Sequence, residues 1–591
     1  GAPLWVREFC VTFKRTVEEL KETFDAVSKE MALTQEQDAV LDEYCRYRAT
    51  VDIKAAEAKK LAAFADNQFT LNNGATLVVT DTAANLLDTN NSAGVAKATT
   101  VKLSGTSNTV TALQAKTLAT KPNFAFEFPG TTKLTISDSA TNILDGGNAA
   151  GVTASTKLVV TGEATAAQAT LLKAYGTKLD TTTGLSIADT AANILLAANA
   201  NGVKGASAVK LINTNTGLTA AQATTLKKVG TTFSVDTANN ATLVVCDSAA
   251  NLLLATNADG VDAATTVKMT GTLNVVTAAQ AVALNGKANF TVDTPNGSTM
   301  VISDTATNLL NANTSNASAM ANATSVTLTG VLNTVGAAAA LTLSGMKNFA
   351  LGSGATLIVA DSKTAIMASA NAAGVAKATT VKLTGINNIA TANEALTLVK
   401  MSNFTLDTGA KLEVADSAAN ILATANANGV GKATTVTVTG ASNVVSAAQA
   451  VTLSAKSNFS VDTAHNATLV VADTAANILL ASNAPGIGKA TRIKVTGTSN
   501  TLTAATATTL ASKASGAVSL DTGATLVIAD TSANLLNTSN AAGLALTGTN
   551  KTLTGTSNTV NVADAMRLYA LSGFTKASGA TLIVADNATN L

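Results

Sequence analysis

Histidine is almost missing from this chain: His465 is the only one among 591 residues. The three cysteines, Cys10, Cys45 and Cys246, stand singly, with no CxxC pair and no metal-ligand spacing. Acid–base and metal chemistry needs several such side chains converging on one place. This inventory offers no such set, and no Gly-rich phosphate loop, HExxH or paired-carboxylate cleft replaces it. No catalytic or cofactor-binding residue is expected. His465 falls in a turn where sister segments carry Asn or Gly, and reads as a solvated surface residue. Cys246 takes a slot filled elsewhere by Ala, Thr or Ser, and reads as a small buried hydrophobe. A hairpin turning near Leu33 would set Cys10 opposite the region of residue 56, so no disulfide to Cys45 is expected.

Charge is scarce too. Charged residues make up 13% of the chain and cancel to +1. That leaves no long-range field to steer nucleic acid or anionic lipid. The mean hydropathy of +0.27 is high, yet no apolar run approaches the ~18 residues that cross a bilayer. Thr, Asn, Asp or Gly interrupts every run, so no membrane-spanning segment is expected.

What the chain has instead is repetition. The passage Asp81-Thr82-Ala83-Ala84-Asn85-Leu86 returns at Asp138, Asp189, Asp247, Asp304, Asp361, Asp416, Asp473, Asp530 and Asp586, with spacings of 51 to 58 residues. A fixed period of this size means one structural unit stacked on copies of itself. Two segments follow: residues 1–66, and a repeat segment over 67–591.

Residues 1–60 carry 22 charged side chains together with Trp5, Phe9, Phe13, Phe24, Tyr44 and Tyr47. Trp5, Phe9, Phe13, Val17, Leu20, Phe24, Val27 and Met31 recur every three or four residues, which predicts a helix with one apolar stripe. Pro3 suits its first turn. Thr34-Gln35-Glu36-Gln37 is a capping-box pattern that opens a second helix. The resulting helical hairpin serves either as a cap on the repeats or as an assembly and anchoring element. Trp5, Phe9 and Phe13 are the candidate assembly residues.

Within one unit, Thr76-Leu77-Val78-Val79 and Thr100-Val101-Lys102-Leu103 read as strands. Asp81 reads as the N-cap of a helix, where Asn would serve as well, and Gly94 as its terminator. Thr111/Gln114 is a capping box opening a second helix, repeated at Thr165/Gln168, Thr219/Gln222, Thr277/Gln280, Thr391/Glu394 and Ser446/Gln449. The predicted fold class is a β-solenoid of about ten 57-residue repeats. Its stacked strands are parallel, and each unit has two strand–helix halves of unequal length. An elongated rod would result.

Three columns follow if equivalent residues stack. Asn108, Asn274, Asn333, Asn388, Asn443, Asn500 and Asn558, each three residues after a glycine, would bond to one another as an Asn ladder. Phe124, Phe290, Phe349, Phe404 and Phe459 would lie in the core. The Asp column, represented by Asp81, Asp138, Asp189, Asp247 and Asp304, would cap helices. Its alternative role is as Ca2+ ligands, since calcium prefers oxygen donors; calcium is the one cofactor left in play.

Runs of the type Leu-x-Val-x-Asp-Thr-Ala-Ala-Asn-Leu-Leu, alternating with Thr-Val-Lys-Leu-Thr-Gly and Val-Thr-Ala-Ala-Gln-Ala, resemble the β-strand repeats of large bacterial secreted surface proteins. These include adhesins and surface-layer-like proteins exported by type I systems. The resemblance covers about residues 67–591. It implies an extracellular or cell-surface structural role, with copies of the chain itself as the partner. An adhesin stalk, or a flat-faced binder of ice or cell-envelope polysaccharide, is the alternative, kept open by Thr-rich strands such as Thr99-Thr100 and Thr379-Thr380. The chain starts at Gly1 without an initiator Met and stops at Leu591 part-way through a unit. The expectation is therefore a trimmed start and a natural protein that continues past Leu591.

Overall fold

The computed structural model describes residues 78–590, apart from 97, 99, 183 and 514–516. The helical hairpin expected over residues 1–66, with Trp5, Phe9, Phe13, Cys10 and Cys45, lies outside the described residues. The described residues divide into two compact units: residues 78–215 with 225–242, and residues 216–224 with 243–590.

The second unit shows the repeat at its most regular. Leu357–Asp361 is a strand with Leu357 and Val359 turned into the core. A helix over Lys363–Met367, a 3-10 turn over Ser369–Asn371 and a helix over Ala372–Val375 follow. The chain returns as strand Thr380–Leu383, turns through Gly385, and continues as Asn388–Ala390. Helix Ala392–Val399 and strands Thr405–Leu406 and Leu412–Asp416 bring it to the equivalent place one repeat later.

The register makes each repeat two strand layers deep. Ile358–Asp361 pair with Thr380–Leu383, Lys382–Leu383 with Thr405–Leu406, and Asn388–Ala390 with Leu412–Val414, all parallel. Each four-stranded sheet takes strands from consecutive repeats: Asn333–Val335, Leu357–Asp361, Thr380–Leu383 and Thr405–Leu406 form one of them. Among the described residues no repeat completes its own sheet, so neighbours must be present for any of them to be satisfied.

The first unit follows the same plan. Thr135–Asp138 pair with Lys157–Val160, and Ser186–Asp189 with Ala208–Leu211, which in turn pair with Thr232–Val235. The fold is thus a repeating, solenoid-like stack of short parallel strands, mostly in sheets of three or four, with short helices between them.

Small side chains fill the interior because the layers are close. Leu357, Val359, Val381, Leu383, Ala395 and Leu398 are fully buried. The tightest approach is between helices. A Cβ on Gly374 would lie 2.1 Å from the Leu341 nitrogen, and one on Gly151, Gly202, Gly260, Gly429, Gly486 or Gly543 would lie 2.1 to 2.4 Å from a backbone nitrogen of the neighbouring helix. Gly94 was expected to end a helix; it lies inside helix Ser92–Ala96 and is buried. Its counterparts are selected for backbone contact, which only a missing side chain permits. One repeat has Ala319 at this place, and there the first helix runs unbroken over Ala306–Ser315. No helix among the described residues is long and apolar enough to cross a membrane.

Candidate functional site

The recurrent polar residues of the described repeats converge at the helix N-termini. Asp304 ends strand Met300–Asp304, and the N-cap of the following helix is Thr305. Its Oδ1 accepts from the Thr305 N–H and from Asn308 Nδ2, both at 2.8 Å. Its Oδ2 accepts at 3.0 Å from the N–H of Ala278, the first residue of helix Ala278–Asn285 in the preceding layer. Asp138, Asp189 and Asp247 repeat all three contacts, with Ala112, Ala166 and Ala220 as the cross-layer donors. Asp81 holds the Thr82 N–H and Asn85.

The Asp is therefore not the N-cap of its own helix, as the sequence suggested. Thr or Ser one residue later takes that position, because the strand stays extended through the Asp. The freed carboxylate spans the gap between layers. Its oxygens are surrounded by N–H donors, whereas Ca2+ needs several oxygens directed at one point. No group of three or more His, Cys, Asp or Glu able to hold a metal occurs among the described residues. Burial alone would raise the carboxyls of Asp138 and Asp473, but hydrogen bonds from Asn142, Ala112 and Ser139 at the first, and Asn477, Ala447 and Thr474 at the second, outweigh it. Both lie below their ordinary value.

The Asn column has the complementary role. Asn274 Oδ1 accepts from the N–H of Ala249, the first residue of helix Ala249–Leu253, at 2.8 Å. Its Nδ2 donates to the carbonyls of Thr270, Gly271 and Thr299 at 3.0 to 3.1 Å. Asn333, Asn388, Asn443, Asn500 and Asn558 do the same. The expected Asn-to-Asn ladder does not form. Equivalent Asn residues are two strand layers apart, about 10 Å at ~4.8 Å per layer, beyond the reach of an amide hydrogen bond. Asp and Asn alternate layer by layer, each closing a helix in the layer before.

Asn215 belongs to this column and was missed, since no glycine precedes it by three residues. Its Oδ1 accepts from Ala191 at 2.6 Å. The turn is made by Asn213, whose φ of 60° occupies the left-handed region usually left to glycine. Two further devices carry no local sequence signal. Thr379 Oγ1 accepts from the Leu357 N–H at 3.1 Å and donates to the Leu357 carbonyl at 3.0 Å, fastening both groups of one residue in the adjacent layer. Asn348, Asn403 and Asn458, just before the recurrent Phe, have φ of 42° to 48° and donate to a carbonyl of the layer before.

The remaining readings fall out unevenly. All six capping boxes close, for example Thr111 with Gln114 and Ser446 with Gln449. Phe290, Phe349 and Phe459 are buried, but Phe124 and Phe404 are only half-buried. His465 is exposed and pairs with Asp462 at 2.8 Å. Cys246 is free and half-buried on the outward face of its strand. The strand alternation puts Val245 inward, so Cys246 is not the core residue expected.

The chain matches no protein-family model and no curated protein.

Proposed function

We propose that the chain is a structural subunit of a bacterial cell-surface layer or extracellular filament, and that it is not an enzyme. In this reading about ten 57-residue repeats form a β-solenoid, residues 1–66 form a helical joint, and copies of the chain are its partners. The observation that carries the proposal is the use made of the recurrent polar residues. Recurrent Asp, Asn and Thr residues are engaged with backbone groups of the preceding layer. Their recurrence is thereby explained by cohesion of the stack rather than by binding or turnover. Exposed apolar residues in the same turn of successive repeats, Leu273, Val331, Leu332 and Ile386, support contact between copies.

Exposed hydroxyl pairs at the same turn elsewhere, Thr106-Ser107, Thr498-Ser499 and Thr556-Ser557, favour a second reading as a polysaccharide-binding stalk. Electron microscopy of the native cell surface separates the two. An ordered lattice or fibre supports the structural subunit; isolated protrusions support the stalk. Replacing Trp5, Phe9 and Phe13 together by Ala should abolish ordered assembly, because large apolar anchors dominate interface energetics. Unchanged assemblies would remove the N-terminal segment from the joint.

A further inference from the structure

Among the described residues, one lysine is buried. Lys551, on strand Thr549–Leu553, is 3% exposed. Its register partner is Ile528, and the same place one repeat earlier holds Ile493 opposite Val471. Among the described residues, the Lys551 ammonium donates only to the Thr549 carbonyl, at 3.3 Å, and to Thr549 Oγ1, at 2.6 Å.

Among the described residues, no opposite charge is free to neutralise it. On the paired strand Leu526–Asp530, Asp530 is committed to Thr531, Asn534 and Ala504. The other flanking strand, Phe574–Lys576, adds only Lys576, of the same sign. On helix Val562–Tyr569, Asp564 is paired with Arg567 at 3.0 Å. Helices Ala504–Ala511, Ser532–Leu536 and Ala541–Leu544 carry no titratable side chain. A buried charge left unpaired costs several kcal/mol in general.

We propose that the half-repeat from Thr549 to Lys576 is a pH-gated local opening, held loose by the buried Lys551 ammonium while the preceding layers stay closed. Opening withdraws the ammonium into water and releases the edge of strand Leu526–Asp530. Burial holds the Lys551 amine below its ordinary value. The open form therefore binds the proton more tightly. Closure strengthens as pH rises from the lowered value towards the ordinary amine value of about 10.4, and weakens as pH falls.

Hydrogen exchange of the full chain, read peptide by peptide, tests this. Strand Thr549–Leu553 should exchange at least about tenfold faster than strand Arg492–Val495 at about pH 7, each corrected for its intrinsic rate. Lys551→Ile and Lys551→Met should both bring it to within about threefold of that strand. Lys551→Arg, which stays charged, should keep the strand open and abolish the extra protection gained by the natural chain near pH 9.5. Equal protection of the two strands in the natural chain would overturn the proposal. So would Ile and Met variants that exchange as fast as the natural chain.

Discussion

A single carboxylate in this fold does three jobs. Asp304 accepts from Thr305 and Asn308 through one oxygen and from Ala278 through the other. Asn presents one oxygen and one NH2, so Asp304→Asn sets a donor against a donor at one of these places. The expected cost is about 1–3 kcal/mol, against the few tenths that an Asp-for-Asn exchange at a simple N-cap would involve. Chemical denaturation of the variant reads it directly; a loss under half a kcal/mol would mean the cross-layer bond contributes little. A chelator should leave the natural chain's midpoint unchanged, because backbone N–H groups occupy the carboxylate. The capping boxes were legible in the sequence because both partners lie three residues apart. The cross-layer role of Asp304 was not, because Ala278 is 26 residues away.

At the scale of helices, spacing is set by glycine. Gly374, in helix Ala372–Val375, touches the backbone of Leu341 in helix Ala337–Ser344, where an added Cβ would stand 2.1 Å from a nitrogen. Backbone cannot step aside as a flexible side chain can. Gly374→Ala is expected to cost at least ~2 kcal/mol, as overpacking of a tight contact does. Gly431 ends helix Ala427–Gly431 and has nothing within 4 Å of its would-be Cβ. Gly431→Ala should be neutral or stabilising by up to ~1 kcal/mol. Matching losses at both positions, measured by thermal unfolding, would sink the close-approach argument. The repeat that carries Ala319 shows how the fold accommodates a methyl group: its first helix is not broken, and Asn285 joins Asn316 and Asn322 through side chains.

For the whole molecule, the recurrent carboxylates predict the response to acid. Asp138 and Asp473 lie below the ordinary carboxyl value despite burial, through the N–H bonds they accept. Hydrogen bonds from Asn590, Val562 and Asn587 lower Asp586, and contact with Lys157 lowers Asp180 to about 2. A carboxyl with a depressed folded value stabilises the fold above its ordinary value and loses that contribution as pH falls through the folded one. Stability should therefore hold from neutral pH down to about 4 and then decline towards pH 2. Circular dichroism across a pH series checks this; a main transition well above pH 5 would require a different titrating group.

Several features were settled by residues near one another in the chain. The period follows from the return of Asp-Thr-Ala-Ala-Asn-Leu, the strands from β-branched alternation, and the second helix from its capping box. Solenoid-like stacking follows too, since a strand–helix unit of this size cannot bury its own apolar face. Tertiary structure alone decided which groups meet across layers. It turned the Asp from the cap of its own helix into a clamp on the helix before, and the Asn column from a ladder into a second set of clamps. It also brought in Asn215, which no glycine rule marks, and moved Gly94 from a helix end to the middle of one. The physical reason is the same each time: strand register joins residues 22 to 27 positions apart, a separation that neither helical nor strand periodicity encodes.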